Sequence, residues 1–118
     1  YNVQGNKIYK DGQNISLKGI NWFGFDTDTL KPHGLWNGRS YENYFAESME
    51  VGFNALRNSV SHEAYDEQTY LRLFLNKASE YCLHVLFDIH NCSFTDGHLS
   101  PEPCDNTIPS LEKLATLI

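Results

Sequence analysis

Three polar side chains stand where short apolar runs of the sequence end: Asn21 beside Trp22, then Arg57, then His90. Each run reads as a β-strand, and each is followed by a loop or a helix. Polar groups at equivalent ends of successive strand–helix units can converge on one pocket. A guanidinium such as that of Arg57 can hold a carboxylate ionised and oriented. Taken singly, each residue has a plainer reading. Arg57 could be a surface cation or half of an ion pair, His90 a satisfied strand-end histidine, and Trp22 a core ring. Their joint occurrence at corresponding places is what points to a site.

Other chemistry-bearing residues are weaker candidates. Asp88 lies mid-strand near His90, which suggests a buried hydrogen-bonding role. Glu63, Asp66 and Glu67 read as a solvated loop and helix start, where negative charge is favourable. Asp96, His98 and His90 lack the tight spacing of metal ligands, so no metal site is expected. Of three cysteines, Cys82 reads as a buried free thiol on a helical apolar face. Cys92 and Cys104 share a Gly/Pro/Asn-rich loop, where a disulfide would staple the segment. Asn14-Ile15-Ser16 and Asn91-Cys92-Ser93 fit the N-glycosylation acceptor pattern, making Asn14 and Asn91 candidate glycan sites. These features lean towards a secreted protein.

The elements that must position these groups alternate along the chain. Lys7–Lys10 and Asn14–Leu17 flank Asp11-Gly12, a hairpin signal. The second arm is expected to run on into the apolar Ile20–Phe25 as a buried strand. Asp26–Arg39, broken by Pro32, Gly34 and Gly38, is a long loop. Ser40 can cap a helix carrying Tyr41, Tyr44, Phe45, Ser48 and Met49 on one face, and Gly52 ends it. Phe53–Asn58 is then a short strand. Asp66 can cap a longer helix with Tyr70, Leu71, Phe74, Leu75, Ala78, Tyr81 and Cys82 inward. His84–His90 is the clearest strand. After a loop over Asn91–Asn106, Thr107 and Pro109 open a third helix. Repeated βα units imply an α/β fold with parallel strands and right-handed crossovers. Long loops after strands and short turns before them place the working face at the strands' carboxyl ends.

The motifs resemble a known family. Leu17-Lys18-Gly19-Ile20-Asn21-Trp22-Phe23-Gly24-Phe25, followed by His33-Gly34-Leu35-Trp36, is similar to the opening of glycoside hydrolase family 5, the cellulase-type endoglucanases. Gly52-Phe53-Asn54-Ala55-Leu56-Arg57 is similar to that family's second strand, and Leu86-Phe87-Asp88-Ile89-His90 to its third. The leading hairpin matches the cap under its barrel. The resemblance implies a (β/α)₈ TIM barrel, of which residues 1–118 would be an N-terminal part: a hairpin plus about three βα units, ending before the fourth strand. A whole barrel needs roughly 250 residues. It also implies retaining hydrolysis of β-1,4-glucans, with no cofactor. By the same resemblance, Arg57 would support the nucleophilic carboxylate and His90 would bind sugar at the cleavage subsite. Asn21, Trp22, His33 and Trp36 would contact substrate, Trp36 as a platform for a glucosyl ring. Two departures stand out. The family supplies its two catalytic carboxylates from the fourth and seventh strands, the first within Asn-Glu-Pro. This sequence has no Asn-Glu-Pro and is expected to end before a fourth strand, so by the resemblance both are missing. Asn58-Ser59 follows Arg57 where the family usually has Leu-Pro.

Composition narrows the partners. The 118 residues are 41% hydrophobic and 14% aromatic, enough for one packed domain. Nine Lys and Arg against fifteen Asp and Glu give a net charge of −6, a poor match for a phosphate backbone, so nucleic acid is not an expected partner. No apolar run approaches the roughly 18 residues of a membrane span. The chain starts at Tyr1 rather than Met and stops inside an apolar periodic stretch, so it reads as cut off. Two expectations follow. One is an N-terminal portion of a cellulase-like hydrolase, inactive alone and paired with β-glucan or a missing barrel half. The other is a non-catalytic structural or carbohydrate-binding glycoprotein that self-associates through open strand edges. An anion site at a helix N-terminus is a weaker option, because no Gly-rich loop follows any strand.

Overall fold

The computed structural model describes residues 1–91. The Cys92–Cys104 disulfide, Asp96, His98, the 91–106 loop beyond its first residue and the third helix lie outside the described residues.

The chain begins with a small antiparallel sheet, β1 (Asn2–Gln4), β2 (Lys7–Lys10) and β3 (Gln13–Ile15). The Asp11-Gly12 hairpin is present, with Lys10 opposite Gln13 and Ile8 opposite Ile15. The extra strand β1 pairs Val3 with Ile8. The second arm does not run on into Ile20–Phe25. It stops at Ile15, and the link that follows is held by one side chain. Asn54 accepts from the Lys18 amide at 2.7 Å and donates to the Ser16 carbonyl at 2.8 Å, which turns the chain out of this sheet.

A second sheet carries the fold. Its strands β4 (Gly19–Asn21), β5 (Ala55–Ser61) and β6 (His84–Asn91) lie side by side in that order, all parallel. Between β4 and β5 come the long loop, a short 3-10 helix at Leu35–Asn37 and α1 (Tyr41–Glu50). Ser40 caps α1 reciprocally with Asn43, accepting from the Asn43 amide while the Asn43 side chain accepts from the Ser40 amide. Between β5 and β6 the chain forms α2 (His62–Glu67) and α3 (Thr69–Glu80). The single helix expected from Asp66 is thus two. Asp66 lies inside α2, and Gln68, at φ +34, makes the joint.

Alternation in the parallel strands sends Ile20, Leu56, Val60, Val85, Phe87 and Ile89 to the helical layer. There Phe74 is the hub of an aromatic core. Its ring lies 5.4 Å from Phe25, 5.4 Å from Phe45 and 5.5 Å from Tyr41, edge-on in each case. Cys82 departs from expectation. The helix ends at Glu80, and Cys82 takes the left-handed position of the closing turn (φ +54), so its thiol is exposed while Leu83 enters the core. Met49 is likewise exposed rather than packed. Among the described residues, no helix is long and apolar enough to cross a membrane.

Candidate functional site

The opposite face of the parallel sheet is polar. Register puts Asn21 beside Arg57, Arg57 beside Leu86, and Ser59 beside Asp88, so these side chains share one face, with His90 two residues beyond Asp88. Arg57 and His90 meet on one atom. The Arg57 Nη2 donates to Asp88 Oδ2 at 2.5 Å, and His90 Nδ1 lies 2.8 Å from the same oxygen. All three side chains are about one-third exposed. Arg57 Nη1 reaches Asn21 Oδ1 at 3.4 Å, a weak contact that completes a row across β4, β5 and β6. An ionised carboxylate only accepts, so His90 meets Asp88 with its Nδ1–H and turns Nε2 away from it. Asp88 therefore fixes both a guanidinium and an imidazole.

A second group gathers where β4 ends. His33 lies between two exposed rings: Phe23 at 4.3 Å and Trp36 at 4.9 Å between centroids, both edge-on. Phe23 is 54% and Trp36 71% exposed, which is unusual for rings of this size. Thr27 donates its hydroxyl hydrogen to the Gly24 carbonyl at 2.7 Å, and its oxygen sits 3.2 Å from His33 Nε2. The imidazole is thus held from inside, with apolar faces on either flank. Flat, exposed apolar faces with polar atoms between them suit the C–H faces and hydroxyls of a sugar.

The structure brings Asn21, Arg57 and His90 together and places His33 with Trp36. Trp22 goes elsewhere. Its ring points into the helical layer, 4.8 Å from Tyr44 and 6.2 Å from Phe45, and its indole N–H donates to the His33 carbonyl at 2.8 Å. It supports the loop rather than joining the polar face. Sequence reasoning missed Phe23 as a rim residue, although adjacent residues of one strand cannot both face the core. It also ended the second strand at Asn58, whereas β5 runs on to Ser61 and Asn58 lies inside it. This side chain is fully buried among Leu56 and Val60 on the helix-facing side. An amide between two aliphatic residues of the same strand face was the available signal. Among the described residues, no three His, Cys, Asp or Glu side chains come together as a metal-binding group.

No family model matches the chain. An endoglucanase of Paenibacillus polymyxa is 34% identical over 70 residues, covering 58% of this chain and 17% of its own length. The major extracellular endoglucanase of Xanthomonas campestris pv. campestris is 36% identical over 59 residues, 48% of this chain and 12% of its own length. Among solved structures, a variant endocellulase of Pyrococcus horikoshii in complex with cellotetraose superposes with a TM-score of 0.79. It is 25% identical and matches 96% of this chain but 38% of its own. The matched part is thus 17% and 12% of the length of these two relatives. The likeness to cellulase-type endoglucanases seen in the motifs holds in sequence and in fold over that part, and the described α/β units superpose on part of the barrel-type endocellulase.

Proposed function

We propose that residues 1–118 are the N-terminal part of the (β/α)₈ barrel of a secreted, retaining endo-β-1,4-glucanase, ending before the fourth strand. In this reading the chain supplies one wall of the substrate cleft. Trp36, His33 and Asn21 contact glucosyl units, His90 binds sugar at the cleavage subsite, and Arg57 orients the nucleophilic carboxylate of another segment. The observation that carries it is the joining of Arg57 and His90 through one oxygen of Asp88, on one face of adjacent parallel strands. Retaining hydrolysis needs two carboxyl groups about 5–5.5 Å apart, one acid/base and one nucleophile. Asp88 is already engaged by a cation and a histidine, so it is a poor candidate for either role. The chain alone is therefore expected to bind β-glucan weakly and to hydrolyse none.

The test is to add cellotetraose to the full chain and follow tryptophan fluorescence and product formation. The expected result is quenching that Trp36→Ala removes, with no product. Turnover that survives Arg57→Ala and His90→Ala would overturn the site assignment. A remaining barrel half, or a second copy of the chain, would complete the fold.

One observation favours a second reading, a non-catalytic glycoprotein. Asn14 is exposed on β3, opposite Tyr9, where an acceptor amide is accessible. Asn91, directly after His90 in the sequence, is the second acceptor candidate. Intact mass before and after deglycosylation of secreted material separates the two readings: a glycan on Asn91 favours the structural one.

A further inference from the structure

We infer that Asn58 is a positioning residue for the Phe23–His33–Trp36 rim, by replacing a strand rung that β4 loses. Asn21 pairs with Arg57, and the next pair along is Phe25 with Val60. Between them the first strand holds Trp22, Phe23 and Gly24, whereas β5 holds only Asn58 and Ser59. The first strand therefore carries one extra residue, a bulge. The bulge follows from the side chains. Trp22 and Phe25 both pack on the helical layer, yet they are three residues apart, and strict alternation would place them on opposite faces. One extra residue restores Phe25 to the core, where it is fully buried, and throws Phe23 outward. Gly24 makes room for this at φ +140. A Cβ there would come within 2.3 Å of the Lys31 carbonyl oxygen.

Asn58 fills the gap. Its Nδ2 donates to the Trp22 carbonyl at 2.7 Å, while the Trp22 amide donates to the Arg57 carbonyl at 2.8 Å. Trp22 is thereby tied to β5 at both ends of its backbone. From there the bonds lead outward. The Trp22 indole donates to the His33 carbonyl, and the His33 amide donates to the Phe23 carbonyl at 3.0 Å. The path from the buried amide to the rim runs through three hydrogen bonds: Asn58 to the Trp22 carbonyl, the Trp22 indole to the His33 carbonyl, and the His33 amide to the Phe23 carbonyl. The amide's own oxygen, Oδ1, is buried and has no hydrogen-bond partner among the described residues. A residue chosen for core stability alone would be aliphatic at this position. Asn58 is placed for the single donor it directs at Trp22.

Nuclear magnetic resonance on the full chain tests this. In the unsubstituted protein, the Asn58 side-chain amide protons are expected to exchange slowly and to show through-bond coupling to the Trp22 carbonyl carbon. Asn58→Leu fills similar volume in an apolar layer, so unfolding in urea is expected at an unchanged or higher midpoint. In the same variant the Trp22 indole proton should exchange at least tenfold faster, and the His33 ring protons should lose the ring-current shifts imposed by Phe23 and Trp36. Unchanged Trp22 exchange and His33 shifts in Asn58→Leu would overturn the inference. So would a fast-exchanging, uncoupled Asn58 amide in the unsubstituted chain, a measurement that stands even if the variant does not fold. That the rim serves carbohydrate rests on the function proposed above and has its own readout. Absence of cellotetraose binding by the unsubstituted chain would sink that reading, while the resonance data still decide the role of Asn58.

Discussion

Asp88 is the residue on which the polar face depends. One oxygen holds the Arg57 guanidinium and the His90 imidazole, so removing it frees both at once. Solvent reaches all three side chains, which limits the energetic cost: Asp88→Ala should lower the unfolding free energy by about 1 kcal/mol or less. The informative readout is the imidazole. Without the carboxylate, His90 should shift from the Nδ1–H tautomer towards Nε2–H, visible in its ring ¹⁵N resonances; an unchanged tautomer would count against the arrangement. A second residue-scale prediction concerns Tyr41. Burial, with a smaller contribution from Tyr70, pushes its phenol up to about 12 from 10.0. The folded state thus keeps the proton where the unfolded state releases it. Stability is intact below pH 10 and declines as the pH rises towards 12, by a total of roughly 2–3 kcal/mol at about 1.4 kcal/mol per pH unit. Tyr41→Phe should remove that segment of the stability–pH curve, measured by denaturant titration from pH 9 to 12.

At the scale of elements, local rules and tertiary demands can be told apart. The Ser40 cap, the Gly52 stop and the Asp11-Gly12 hairpin were legible because each depends on the chemistry of a few neighbouring residues. His90 could be placed near a strand end because its flanking apolar run sets the register, but Arg57 could not: β5 runs on past Asn58 to Ser61, so Arg57 lies within the strand rather than at its end. The bulge was not legible, because only the competition between Trp22 and Phe25 for the same core creates it. The break between α2 and α3 was hidden for a similar reason. Gln68 carries the left-handed conformation there, while its Oε1 accepts from Arg72 Nη2 at 3.1 Å. An L-residue in that conformation is strained by roughly 1–2 kcal/mol. Gln68→Gly should therefore leave the fold intact and raise the unfolding free energy by up to about 1 kcal/mol, since glycine's greater unfolded-state freedom offsets part of the gain. A lower thermal midpoint in that variant would mean the Arg72 contact outweighs the strain.

For the molecule as a whole, the described sheet has a covered side and an uncovered one. Helices α1 and α3 cover the aromatic core. The other side presents the polar row together with Leu86, which is 60% exposed although it pairs with Arg57 in the middle of the sheet. A leucine in that place suits a surface that another body of protein covers. Self-association of the isolated chain should depend on it. Sedimentation at rising concentration is expected to show larger species, and Leu86→Glu should reduce them without changing the thermal midpoint by more than a few degrees. Concentration-independent monomers would argue that the sheet tolerates its open side.

Asn54 ties three separate parts of the chain at the end of the sheet away from the rim. Its side chain grips the Ser16–Lys18 link, and its carbonyl accepts from the His84 amide at 2.8 Å, where β6 begins. Tyr1 reaches the same corner, its hydroxyl 2.7 Å from His84 Nδ1. The foundations are therefore knotted together far from the loops that would meet a ligand. Evolution can rewrite the mouth, lengthening a loop or trading one ring for another, while the anchorage underneath keeps the same three strands aligned.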